Sequence, residues 1–181
     1  HEIAIVAVAL RADGHVELIL LVAGVGPVLA QIHGDAGATE VRAGEAVGNG
    51  VGFRGDADID GAVNAAVFGA FMNQGQICMS TERFIVDETV ADEFVAKLSA
   101  RAAQLPAGDP RGHVVLGSLV SPEAAAKMEA MVADAVEKGA KVVAGGKRHG
   151  SVFEATVIDA VHEGMRVFTE ESFGPVKPVI R

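Results

Sequence analysis

An α/β fold, with helices layered against a mainly parallel sheet, is what this sequence predicts. From Asp56 onward, apolar stripes at helical spacing alternate with short runs rich in β-branched residues. Cap and turn residues stand at the boundaries between them, the grammar of an α/β layer structure. Half of the 181 residues are apolar and 22% are charged, which suits a packed core rather than disorder. With 22 Gly, no Trp and no Tyr, that core has to be assembled from small aliphatic residues and eight Phe.

Residues 1–54 alternate Val, Ile, Leu and Ala with Gly and charge without a stable period. Ile3–Leu10 and His15–Leu21 read as strands from their β-branched content. Gly24, Gly26, Pro27, Gly44, Gly48, Gly50 and Gly52 break any longer element. The order changes at Asp56. Asp56, Asp58 and Asp60 open a helix, where carboxylates accept from the unsatisfied N–H groups of the first turn. Ile59, Val63, Ala66, Val67 and Ala70 give it one apolar face. Asn73-Gln74-Gly75-Gln76 ends it, leaving Cys78 just beyond in a turn or a new helix start.

Arg83–Val86 reads as a short buried strand. Thr89-Val90-Ala91-Asp92 has a capping-box pattern, followed by a stripe of Val90, Phe94, Leu98, Ala102 and Leu105. Pro106 and Asp109-Pro110 make a loop. Ser121-Pro122-Glu123 starts the next helix with a hydroxyl cap, a proline in the first turn and an acid. That helix turns Met128, Val132, Ala135 and Val136 inward, and Gly139 closes it. Lys141–Ala144 and Glu154–Ile158 are strands, separated by a turn at Gly145-Gly146-Lys147.

Composition narrows the function classes. A formal charge of −9 repels phosphate backbones and argues against a nucleic-acid partner. The longest apolar run, Leu18 to Leu29, is about 12 residues, short of the roughly 20 that a membrane span needs. The chain begins with His and shows no basic stretch ahead of an apolar run, so the reading is of no signal peptide and of a start within a longer gene product. A single cysteine, Cys78, cannot close an internal disulfide and fits a reducing compartment, the cytoplasm. Among the six histidines none has ligand spacing, so no metal site is expected. His113 and His149 fall in predicted surface loops.

Read alone, a single cysteine is more often a buried filler than a nucleophile. Its surroundings alter that reading. The run Gly69-Ala70-Phe71-Met72-Asn73-Gln74-Gly75-Gln76-Ile77-Cys78-Met79-Ser80-Thr81-Glu82-Arg83 resembles the catalytic-cysteine segment of the aldehyde dehydrogenase superfamily. Downstream, Glu170-Glu171-Ser172-Phe173-Gly174-Pro175-Val176 resembles that family's cofactor-contacting loop. Leu116-Gly117-Ser118-Leu119-Val120 and Val143-Ala144-Gly145-Gly146-Lys147 fit between them in order and spacing. The resemblance covers residues 56–181 and looks most like the branch acting on aromatic aldehydes such as salicylaldehyde or vanillin. Residues 1–55 are left unassigned.

The resemblance implies a three-layer fragment of an aldehyde dehydrogenase catalytic domain, with a mainly parallel sheet. It also implies oxidation of an aldehyde to a carboxylic acid with NAD or NADP, through a thiohemiacetal and a thioester on cysteine. Cys78 would be the nucleophile, its thiolate favoured by backbone N–H groups at the end of a helix, and its own N–H would face the developing oxyanion. Glu171 would bind the nicotinamide ribose hydroxyls and Phe173 would pack beside the ring. The full-length family is expected to form homo-oligomers.

Some features depart from that pattern. Where the family carries Glu-Leu-Gly-Gly-Lys, with its general base, this chain has Ala43-Gly44-Glu45-Ala46-Val47-Gly48. Glu45 stands close to the expected separation from Cys78, but its neighbours do not match. The family's cofactor domain, and the end of its catalytic domain, are not expected within this chain. A non-catalytic fragment and an NAD-independent thiol esterase are therefore the rival readings. Glu82 and Arg83 read as an ion pair or a solvated face. Gly50-Val51-Gly52-Phe53-Arg54-Gly55 satisfies G-x-G-x-x-G literally, and reads as coincidence in a glycine-rich stretch.

Overall fold

The computed structural model describes residues 4–10, 16–22 and 50–181. Two segments near the start form the predicted strands, β1 (Ala4–Leu10) and β2 (Val16–Val22), paired antiparallel from Ala4↔Val22 to Leu10↔Val16. Glu45 and its neighbours lie outside the described residues.

The main sheet starts at β3 (Gly50–Phe53), so Gly50 and Gly52, expected to break any element, lie within a strand instead. Most of the literal G-x-G-x-x-G run is thus a strand rather than a loop leading into a helix, and it has no phosphate-binding geometry. The helix α1 (Ile59–Phe71) follows, capped by Asp58, whose carboxylate accepts from the Gly61 N–H at 3.3 Å. The predicted strand forms as β4 (Arg83–Val86). In α2 (Glu88–Ala102) the cap is Asp87, which accepts from both the Thr89 N–H and the Thr89 hydroxyl. The capping box expected at Thr89 is therefore replaced by an earlier start, because a carboxylate two residues upstream already holds the first turn.

Next comes α3 (Pro122–Glu137), with Ser121 as its cap and Gly139 at a φ of +100° just past its end. Met128, Val132 and Ala135 are buried as expected, while Val136 is 50% exposed on the outer face. After β5 (Lys141–Ala144) the chain makes a small hairpin, β6 (Arg148–His149) and β7 (Val152–Phe153). The turn expected there proves longer, and His149 sits on an exposed hairpin strand rather than in a loop. The strand β8 (Thr156–Asp159), the single-turn helix α4 (Arg166–Thr169) and β9 (Val176–Ile180) complete the unit.

The sheet order is β3-β4-β9-β8-β5. All neighbours are parallel except β5, which runs antiparallel to β8 at one edge. Since β3 pairs with β4, the sheet crosses the boundary drawn after Gly55, and the folded unit starts before it.

Alternation along the strands separates two cores. Val157 and Val179 join Phe53, Phe84, Phe94 and Leu98 under α1 and α2. Ile158 and Val176 join Met128, Met131, Phe153 and Val167 on the side of α3 and α4. Helices on both faces of a mainly parallel sheet make the three layers expected. Among the described residues, no helix is long and apolar enough to cross a membrane.

Candidate functional site

The cysteine segment begins where α1 stops. Asn73, Gln74 and Gly75 take left-handed φ values of +50°, +57° and +72°, which reverses the chain after the helix. Consecutive non-glycine residues in this region are uncommon and strained. The Asn73 amide donates to the Gln76 carbonyl (3.2 Å) and steadies the reversal. A tight turn follows, closed by the Ser80 N–H on the Ile77 carbonyl (2.9 Å). Cys78 lies in this turn and is exposed. The chain then comes back along α1, with the Thr81 N–H donating to the Gly69 carbonyl (3.0 Å).

The second motif arrives from the other end of the domain, between α4 and β9. Its loop meets the cysteine segment at Gly75, where a Cβ would run into the Gly174 carbonyl. Gly174 in turn leaves space for the Met128 side chain of α3. The interleaved Leu116–Val120 stretch also reaches this place: the Val120 N–H donates to Gln76 Oε1 at 2.8 Å. Segments far apart in sequence are thereby gathered around the turn that carries Cys78.

Phe173 sits in this loop with φ +50° and is 41% exposed. Glu171, two residues before it, is exposed, and its backbone carbonyl accepts from Lys127 Nζ of α3 at 2.6 Å. The fold thus holds the backbones on either side rigidly and leaves both side chains turned to solvent.

What holds the loop was missed in the sequence. Glu82 and Arg83 are not on a solvated face. They are 3% and 1% exposed, and Lys177 in β9 is fully buried. Glu82 Oε2 accepts from both the N–H (2.8 Å) and the hydroxyl (2.7 Å) of Ser172. Its other oxygen faces Lys177 Nζ at 3.4 Å. Arg83 Nε donates to the Phe168 carbonyl (2.8 Å) and Nη2 to the Glu170 carbonyl (3.2 Å). Burial pulls the Lys177 ammonium below its ordinary pKa, and the Glu82 carboxylate opposes that pull. Burial likewise lowers Arg83, with Glu82 and Glu171 acting against it. The available signal was a lysine inside the apolar run Val176-Lys177-Pro178-Val179-Ile180, which requires a buried acid as partner.

A family model described as "Aldehyde dehydrogenase family" matches residues 6–181. The chain belongs to the aldehyde dehydrogenase family. The match also takes in most of residues 1–55, the part left unassigned from sequence. A salicylaldehyde dehydrogenase of Pseudomonas putida is 54% identical over 128 residues, 70% of this chain and 26% of that protein. A vanillin dehydrogenase of Pseudomonas fluorescens is 55% identical over 127 residues, again 70% of this chain and 26% of the relative.

Solved aldehyde dehydrogenase structures agree. That of a salicylaldehyde dehydrogenase from Pseudomonas putida G7, complexed with salicylaldehyde, is 46% identical, with a TM-score of 0.70 over 75% of this chain and 30% of that one. A glyceraldehyde-3-phosphate dehydrogenase from Methanocaldococcus jannaschii, complexed with NADP, gives 0.70 at 34% identity over 75% and 30%. The chain therefore spans about a quarter of the length of the curated relatives it matches, 26% of each.

Proposed function

We propose that this chain carries the nucleophile and the nicotinamide-side contacts of an enzyme that oxidises an aldehyde to a carboxylic acid with NAD or NADP. The observation that carries the reading is the meeting of the Cys78 turn with the Glu171–Phe173 loop across Gly75 and Gly174. A thiolate needs exposure to reach a carbonyl, and Cys78 has it. An exposed carboxylate at Glu171 suits two ribose hydroxyls, and the half-exposed ring of Phe173 suits the flank of a nicotinamide.

The residues would work as follows. The Cys78 thiolate adds to the aldehyde carbon, and the oxygen that gains charge is met by a backbone N–H at the turn. The dinucleotide, when bound, supplies the acceptor for the hydride that leaves this carbon. The resulting thioester on Cys78 is cleaved by water, which releases the acid and returns the thiol. Glu171 and Phe173 orient the acceptor and keep solvent from that side. Cysteine chemistry of this kind fits a reducing compartment, the cytoplasm.

The substrate class we favour is an aromatic aldehyde. Two exposed residues of the cysteine segment, Met72 and Met79, are apolar, and Met79 is 74% exposed. The relatives most than half identical over the matched stretch are named for salicylaldehyde and vanillin. The test is aldehyde-dependent reduction of NAD+ and NADP+, followed by absorbance, in the wild type and in Cys78→Ala. The reading predicts that the variant loses all turnover while melting as the wild type does. Equal turnover in both would refute it. Ester cleavage that needs no dinucleotide would point to the thiol esterase instead.

A further inference from the structure

The reaction above uses Cys78, Glu171 and Phe173, and leaves unexplained a carboxylate and an ammonium buried beside them. We infer that Glu82 is a positioning residue, whose carboxylate fixes the loop bearing Glu171 and Phe173 against the Cys78 turn through Ser172. The inference rests on the functional reading just given for what the loop does, but the geometry of the clamp is independent of it.

Glu82 is fitted for this by its place in the chain. It stands four residues after Cys78, on the stretch that runs from the turn into β4. From there one oxygen takes both donors of Ser172, the residue between Glu171 and Phe173. Its neighbour Arg83 takes the carbonyl of Glu170, on the other side of Glu171. Two successive side chains thus grip the backbone before and after the proposed ribose ligand, and Lys127 holds the carbonyl between them.

The next residue, Phe173, has a left-handed backbone that an aromatic side chain rarely adopts. Such a conformation persists when its flanks are over-determined. Here Ser172 is tied to Glu82 on one side, and Gly174 abuts Gly75 on the other. Lys177 supplies the charge that lets a carboxylate remain at this depth. Its role is to hold Glu82 in place, and Glu82 does the positioning.

Two double variants separate acceptor geometry from charge. Glu82→Gln with Lys177→Met removes both charges and keeps an oxygen for Ser172. Glu82→Ala with Lys177→Met removes both charges and the oxygen. Neither strands the Lys177 ammonium, and Arg83 keeps its carbonyl acceptors at Phe168 and Glu170, so both are expected to fold.

In the 181-residue chain, amide exchange is followed at Ser172 and Phe173, with Phe94 and Leu98 of α2 as internal references. Alkylation of Cys78 by iodoacetamide, the one thiol present, is titrated with NAD+ in the same samples. The expected result is exchange at Ser172 roughly tenfold faster in the alanine variant than in the glutamine variant. The references should be unchanged, and the NAD+ concentration that half-alters alkylation should rise about tenfold in the alanine variant alone.

Equal exchange at Ser172 in the two variants would overturn the inference. So would equal acceleration at Phe94 and Leu98, which would make Glu82 merely structural. Should the alanine variant unfold, Ser172→Ala deletes one donor and touches no charge. It must then weaken the NAD+ effect by about threefold, and an unchanged titration would also overturn the inference. If wild-type alkylation ignores NAD+, the cofactor reading fails, and exchange at Ser172 still decides the clamp.

Discussion

Under α1 and α2, Phe94 stands 4.6 Å from Phe53 and 5.6 Å from Phe84, ring centre to ring centre, in a core of aliphatic neighbours. Two residues before Phe84, Glu82 is buried as deeply, yet its surroundings are a serine, a lysine and an arginine on the next residue. The aromatic cluster is held by non-directional burial, so a lost group costs in proportion to the volume and area removed. The polar seam is held by single partners at fixed angles. Removing one partner there strands another in a medium that cannot solvate it. The first kind of packing makes the sheet and its helices. The second joins two loops that are distant in sequence and would otherwise be free to drift.

The sharpest way to break this comparison is to strand a charge. Glu82→Ala, made alone, takes from the Lys177 ammonium the one acid it contacts among the described residues, and is expected to cost about 3–5 kcal/mol in urea unfolding. A loss below about 1 kcal/mol would mean that the pair is as replaceable as the apolar core. Phe94→Leu sharpens the other side: it removes volume but strands nothing, and should cost about 1–2 kcal/mol by the same measurement.

The smallest effect belongs to a partly covered ion cluster away from both regions. Asp134 accepts from the Arg166 N–H (2.8 Å) and from Lys138 (2.7 Å), and these hold its pKa below the ordinary carboxylate value, the backbone N–H most of all. A depressed carboxylate stabilises the fold at pH values above its unfolded pKa of about 3.9. That contribution is lost as the pH falls through the lower, folded value. Asp134→Asn should therefore cost about 1 kcal/mol at neutral pH and flatten this part of the acid decline. The check is urea midpoints from about pH 5 to about pH 2.

The same contrast explains what was legible in the sequence. Elements whose signals are local were read correctly: the Ser121 cap, the Gly139 stop, β4 and the apolar stripe of α2 all depend on residues within a few positions of one another. The start of α2 was misplaced because two acceptors competed for one turn and Asp87 prevailed. Val136 faced outward because the stripe of α3 is narrower than its run of apolar residues.

The candidate site was legible only through its resemblance to a family. Nothing local in Asn73-Gln74-Gly75 predicts three left-handed residues in succession. The clamp was illegible for a different reason: Glu82 and Ser172 are 90 positions apart, and Glu82 and Lys177 are 95. A glutamate next to an arginine in sequence looks like a solvated pair. The sheet puts β4 beside β9, and only that placement turns each toward a separate partner.

The central claim is that the Cys78 turn and the Glu171–Phe173 loop form one assembled site in this chain. The most direct test is the rate of Cys78 alkylation by iodoacetamide at a fixed pH, with and without NAD+. The account predicts a rate that changes with NAD+ in a saturable way, and loses that response in Glu171→Ala. A rate indifferent to NAD+ at every concentration would contradict it, and would mean that the two motifs lie side by side without acting together.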